Sequence, residues 1–262
     1  MNMSLQSYGT NYDIWSIDGD PFISSLPGMS SPLPFSLTGF FFIFLIKILI
    51  PRVVNKKTRI DIKPIAIFAN GLAFGTCLAG ITIVMFTIPV IKYSFDCHSY
   101  KRETSDLVDI AIKYMAYLFI FMKLYDFFRP LFISLKAESV SLLDLIQIQI
   151  VLMVTWIGVK TNPGGSWLLT GIFDTMYQGF LHGYLVLTCA SKGVKPSFKS
   201  RQQIKKYLHL FRAGSALLVI FHLIYFLLPH NGNDCPNHGL VLFLLFYTIL
   251  YLVVYTVKTN LI

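Results

Sequence analysis

Apolar residues along this chain gather into long runs separated by short polar segments. The runs extend from Phe35 to Ile50, Pro64 to Val84, Ile110 to Leu135, Leu142 to Val159, Trp167 to Cys189, Tyr207 to Leu228 and Leu240 to Val257. A helix of about 20 mostly apolar residues crosses a hydrocarbon core, whereas an unpaired strand there leaves its backbone donors and acceptors unsatisfied. The pattern therefore predicts an all-α, polytopic membrane protein with seven transmembrane helices. Lys47, in the short first run, is placed to snorkel to an interface. The "FTIPVI" after the second run predicts a proline kink if that helix continues. The alternating "IQIQI" of the fourth run is a poor strand signal, because Gln149 points away from Asp144 and Gln147 on a helix; it predicts protein neighbours on two sides.

Composition agrees, with 55% hydrophobic, 15% aromatic and 13% charged residues among 262, too apolar for an ordinary soluble domain. Charge then sets orientation. Arg52, Lys56, Lys57, Arg59 and Lys63 crowd the first connection and Lys192, Lys195, Lys199, Arg201, Lys205 and Lys206 the fifth, which places both in the cytosol. The segment before the first run carries Asp13, Asp18 and Asp20 without a Lys or Arg, and belongs on the far side. The net charge of +9 is thus a topology signal, and a nucleic-acid partner is not expected. The division is a lumenal tail over residues 1–34, a seven-helix domain over 35–258 and a cytosolic tail over 259–262. No cleavable signal peptide is visible. Cys97 and Cys235 fall on the oxidising side, where a disulfide between them is expected.

Ionisable and amide groups at bilayer depth cost a few kcal/mol each and mark functional sites by default. Asp174, Gln178 and His182 repeat at i, i+4, i+8 and form one stripe that must face the bundle interior. Lys123 and Asp126 pair at i, i+3, and His209, Arg212 and Ser215 recur every third residue ahead of His222 and Tyr225. Singly, each reads as interhelical glue or a neutralised pair. Together they predict a polar cavity inside the bundle. No two histidines share a run at metal-ligand spacing and no cysteine joins them, so no metal is expected.

From Pro51 to about Tyr255 the chain resembles the ELO family of very long chain fatty acid elongases. "NKKTRIDIKPIAIFAN" is similar to the family's basic loop and second span, and "KLYDFFRPLFISLK" to its K-x-x-E-x-x-D-T segment. "WIGVKTNPGG" matches G-V-K-x-x-P-G-G through Lys160, Pro163, Gly164 and Gly165. "KKYLHLFRAGSALLVIFHLIY" resembles K-R-Y-L-T-x-x-Q-x-x-Q-F with its later H-x-x-Y, and the "CP" of Cys235 and Pro236 also fits. The resemblance implies a seven-helix bundle with an internal acyl tunnel and an activity that condenses long-chain acyl-CoA with malonyl-CoA to 3-oxoacyl-CoA, with no other cofactor. It implies residence in the endoplasmic reticulum membrane, N-terminus lumenal and C-terminus cytosolic, and association with itself, with elongases or with other elongation enzymes; "VKTNLI" carries no retrieval signal. Lys123, Asp126, Lys136, Asp174, Lys205, Lys206, Arg212, His222 and Tyr225 are the expected substrate-binding positions.

The family's H-x-x-H-H, counted back from Gly158, falls on Asp144, Gln147 and Ile148, and its fifth-span histidine on Gln178. Glutamine cannot shuttle a proton or carry an acyl group, and isoleucine offers no polar atom. The resemblance thus implies an elongase homologue without condensing activity that binds acyl-CoA or regulates its relatives. A divergent active elongase using Asp144 and His182 is the alternative. A seven-span receptor is a third reading, disfavoured because "FRPLFISLK" lacks an Asp-Arg-Tyr-like triplet and "NPGG" has no role there.

Overall fold

The computed structural model describes residues 19–54, 62–87, 94, 107–190, 198–228 and 238–260, and every regular element among them is helical. A short α1 (Pro21–Ser25) precedes α2 (Leu33–Phe44), which passes through a π-helical turn (Leu45–Leu49) into α3 (Ile50–Val53). Then come α4 (Lys63–Thr87), α5 (Leu107–Tyr125), α6 (Phe128–Leu135), α7 (Leu142–Thr161), α8 (Gly165–Ala190), α9 (Phe198–Leu227) and α10 (His238–Asn260). The seven apolar runs fall on these helices in order. Four stretches, Leu33–Val53, Lys63–Phe86, Leu142–Thr161 and Gln202–Leu227, are long and apolar enough to cross a bilayer, and α10 contains a shorter apolar stretch, Val241–Val253. In α5 the apolar character is diluted by Asp109, Lys113 and Lys123, all three of them buried. Large side chains such as Phe41, Phe68, Phe221 and Phe246 point outward instead, the arrangement expected of a bundle whose solvent is lipid.

Two runs are interrupted where a proline removes a backbone donor. The third, expected as one helix from Ile110 to Leu135, breaks at Asp126–Phe127. Pro130 cannot donate to the Asp126 carbonyl and its ring crowds that group, so the chain takes tighter turns there, Asp126 N–H to Lys123 O and Phe127 N–H to Leu124 O. The first run carries its π turn just before Pro51, which leaves the Ile46 carbonyl without the N–H five residues on. The Ser134 hydroxyl from α6 donates to it at 3.2 Å. Lys47 leaves the same turn and donates to the Val140 carbonyl at 2.9 Å, joining it to the α6–α7 connection.

Packing follows side-chain size. On α4 the buried Ala66, Asn70, Ala73 and Cys77 form one stripe, and on α8 Gly179 and Gly183 sit four residues apart. A Cβ on Gly179 would lie 3.4 Å from Cys77, and one on Gly183 would lie 3.1 Å from the Phe74 ring. Small residues let α4 and α8 lie close along their length, the usual device for helix association in lipid. The α7–α8 connection is as tight. Asn162, restricted by Pro163, leaves the helical region with φ −151°, and Trp167 turns back over Gly158, where a Cβ would stand 2.6 Å from the indole. On the other flank α7 packs against α5 and α2. There Gln149 is pressed into the space left by Gly39, which is the second neighbour that "IQIQI" predicts. Trp156, Phe127, Phe226, Leu145 and Leu152 fill the core between these helices.

Candidate functional site

The polar stripe of α8 faces inward, as expected, and each member reaches a neighbouring helix. Asp174 pairs with the Lys123 ammonium of α5. One turn on, Gln178 Nε2 donates to Asp126 Oδ1 at 2.9 Å, and Asp126 shares Lys123 at 3.7 Å. A further turn on, His182 Nδ1 lies 2.8 Å from Asn70 Oδ1 of α4. The Asn70 amide nitrogen already donates to the Ala66 carbonyl at 2.7 Å, so its oxygen accepts. The proton between them therefore sits on His182 Nδ1, which leaves Nε2 with a lone pair. That nitrogen is buried without a hydrogen-bond partner among the described residues, as is Gln178 Oε1. Tyr125 sets its ring edge-on to the imidazole, centroids 5.4 Å apart.

Beside this stripe lies a cavity of about 110 Å³ between α5, α7, α8, α9 and α10. Its polar groups are Lys123, Asp174 and Arg212, with hydroxyls from Thr155, Thr170, Ser215, Tyr247 and Thr248. The rest of its wall is apolar, from Phe119, Val151, Val154, Trp167, Phe173 and Val219 among others. Arg212 stands between two tyrosine rings, its guanidinium carbon 4.4 Å from the Tyr177 centroid and 4.9 Å from that of Tyr251. These contacts span three helices and fix the charge at the cavity wall. A second, almost wholly apolar cavity of about 70 Å³ adjoins it and shares Phe119 and Trp167, continuing between α4, α5 and α8 past Gly80 and Gly171.

Of the residues singled out in the sequence, Lys123, Asp174 and Arg212 converge on the cavity, and Asp126, Gln178 and His182 stand behind it. Asp144, Gln147 and Ile148 do not line it. They occupy the first two turns of α7 on the face that continues into Val151, Val154 and Thr155, and all three are half-buried. His222 and Tyr225 do not line the cavity either. Both belong to the packing of α9 around Phe226, whose ring lies 5.1 Å from the His222 imidazole and 5.6 Å from the Tyr225 ring. Lys136 caps α6 and, like Lys206, is exposed. The Lys205 side chain, Cys97 and Cys235 lie outside the described residues, so the disulfide expectation does too.

One cluster escaped the sequence reading. At the end of the bundle that carries α1, Lys113 Nζ lies 2.9 Å from both Asp109 and Asp20, and all three side chains are almost completely buried. Asp20 also caps α1 by accepting from Ile23 N–H at 3.0 Å, and its own N–H donates to the Lys160 carbonyl at 2.8 Å. Lys160 in turn donates to the Ser30 carbonyl at 3.0 Å. The i, i+4 spacing of Asp109 and Lys113 was legible in the sequence; nothing in it pointed to Asp20, far away along the chain.

Comparison with known proteins places these features. A very long chain fatty acid elongase 7 of Drosophila melanogaster is 23% identical over 234 residues, 85% of this chain and 66% of its own length. A very long chain fatty acid elongase of Aedes aegypti is 23% identical over 212 residues, 78% of this chain and 56% of its own. Very long chain fatty acid elongase 7 of Rattus norvegicus is 24% identical over 224 residues, 81% and 74% of the two lengths. The chain thus spans less than two thirds of the length of the two insect relatives. Residues 27–257, nearly the whole helical bundle and with it the cavity, match a single family, and a membrane protein of this build and sequence belongs to the ELO: GNS1/SUR4 family.

Proposed function

We propose that this protein is a non-condensing elongase homologue of the endoplasmic reticulum membrane, a seven-span bundle that binds long-chain acyl-CoA and modulates very long chain fatty acid synthesis by associating with active elongases. One observation carries this reading. The wall of the central cavity combines a long apolar surface with Lys123, Asp174 and Arg212 and, among the described residues, contains neither histidine nor cysteine. Condensation needs a group that takes the acyl chain from its thioester and a base that works near neutral pH, and imidazole or thiolate supplies these. Threonine, serine and tyrosine hydroxyls beside two cations hold and orient a carbonyl instead. The two neighbouring cavities, which share Phe119 and Trp167 in their walls, suit an acyl chain, and α7 carries no histidine at any position. Membership of the family removes the receptor reading.

The test is condensation by the purified, reconstituted protein, given labelled malonyl-CoA and a panel of long-chain acyl-CoAs beside an active elongase. The expected outcome is bound acyl-CoA without 3-oxoacyl-CoA; product above background overturns the reading. A second reading, an active divergent elongase, is favoured by the Asn70–His182 pair, which presents Nε2 as a base. Should product form, His182→Gln and Asp144→Asn identify the residue responsible.

A further inference from the structure

We propose that Phe119 sets the length of acyl chain that this protein holds, its ring forming one half of the wall between the two cavities. The proposal rests on the acyl-binding reading and adds a specificity-determining residue. Among the described residues, Phe119 of α5 and Trp167 of α8 alone line both spaces. A chain that passes from the first, of about 110 Å³, into the second, of about 70 Å³, therefore has to go by these two rings. With both in place, the chain ends at Phe119.

The two halves of the wall are held differently. Trp167 closes over Gly158, where a Cβ would stand 2.6 Å from the indole, and its backbone N–H donates to the Gly164 carbonyl at 3.1 Å. It belongs to the α7–α8 turn. Phe119 is held from one face by the Lys123 ammonium, 5.0 Å from the ring centroid, a cation–π contact, and Lys123 is itself fixed by Asp174. Phe119 is thus the half that a substitution removes while the turn stays. What lies beyond it suits hydrocarbon. The polar side chain in the second wall is Thr175, whose hydroxyl already donates to the Gly171 carbonyl at 2.7 Å. Gly171 leaves the space open, since a Cβ there meets no atom within 4 Å. The first cavity carries the Lys123–Asp174 pair and several hydroxyls in its wall, which suits the carbonyl end of the acyl group and leaves the methyl end to approach Phe119.

Trp167 lines both cavities, so a dibrominated acyl chain bound there quenches its fluorescence. The experiment loads the full-length protein in lipid nanodiscs with dibromostearoyl-CoA and displaces it with saturated acyl-CoAs of increasing length. In the wild type the half-displacing concentration is expected to stop falling beyond one chain length, where further methylenes meet the Phe119 ring. Phe119→Ala joins the cavities, and relative to wild type the longest chain is expected to gain on the order of tenfold over the shortest, the scale of filling a void of this size. Gly171→Leu, added to Phe119→Ala, fills the second cavity and is expected to remove that gain. Phe119→Leu, which keeps an apolar side chain without the ring, is expected to give part of it. No gain from either Phe119 variant, or a gain that survives Gly171→Leu, overturns the proposal and leaves acyl binding standing. So does a wild-type curve that keeps falling to the longest chain, a comparison that needs no variant. Quenching that no acyl-CoA displaces from the wild type overturns the acyl-binding reading, and the proposal with it.

Discussion

Two charged clusters in this bundle are built from the same parts and end in different states. At the α1 end, Lys113 is shared by Asp20 and Asp109, whose side chains are 1% and 4% exposed. In the middle, Lys123 is shared by Asp174 and Asp126, whose side chains are 25% and 21% exposed. The first is sealed beneath α1 and holds a chain segment in place. The second borders a cavity to whose wall Arg212 adds a further cation. Burial decides the difference: a closed cluster has only its own members to stabilise it, whereas an open one can exchange them for water or a ligand.

The sharpest way to break the contrast is Lys113→Met. It leaves two buried carboxylates without their cation, a loss of about 3–5 kcal/mol when one member of a buried pair is removed. The expected result is a large fall in the thermal midpoint and ready proteolysis before Leu33, as α1 loses its anchor. A small change would mean that Asp20 is held by its cap alone.

Lys123→Met is expected to cost less, about 1–3 kcal/mol, because Asp174 and Asp126 are only partly buried and Asp126 keeps its hydrogen bond from Gln178. Thermal unfolding of the two variants side by side decides the matter, and equal losses would refute the distinction between a sealed and an open cluster. Asn70→Ala removes one buried hydrogen bond from His182 and is expected to cost about 1 kcal/mol. Since neither residue lines the cavity, acyl binding measured by Trp167 quenching should stay unchanged.

The residues that showed themselves in the sequence did so through local spacing. Asp174, Gln178 and His182 announce a buried stripe because residues four apart on a helix share a face, and the structure gives each a partner across a helix boundary. Pro130 and Pro51 lay in plain view too, but the apolar runs around them hid their effect. Hydrophobicity is a sum over a window and does not register one missing N–H. Asp144 and Gln147 were legible through their position in the family pattern, and the cavity wall on α7 begins one turn farther along, at Val151. Tyr177 and Tyr251 carry no local signal in the sequence, and only the approach of α8 and α10 to Arg212 brings their rings to its guanidinium.

The sequence alone determined that the chain is helical and made for lipid, since long apolar runs permit nothing else at that depth, and it determined which family it resembles. It also settled which side-chain chemistry is present on α7: no histidine, whatever the packing. The tertiary structure decided which polar groups meet. Lys123 reaches Asp174 across 51 residues and Lys113 reaches Asp20 across a still longer stretch of chain, contacts that depend on how closely the helices approach, as where Gly179 and Gly183 of α8 meet α4 and where Trp167 packs over Gly158 of α7. Distances between helices depend on the shapes of both surfaces at once, and no single segment carries that information.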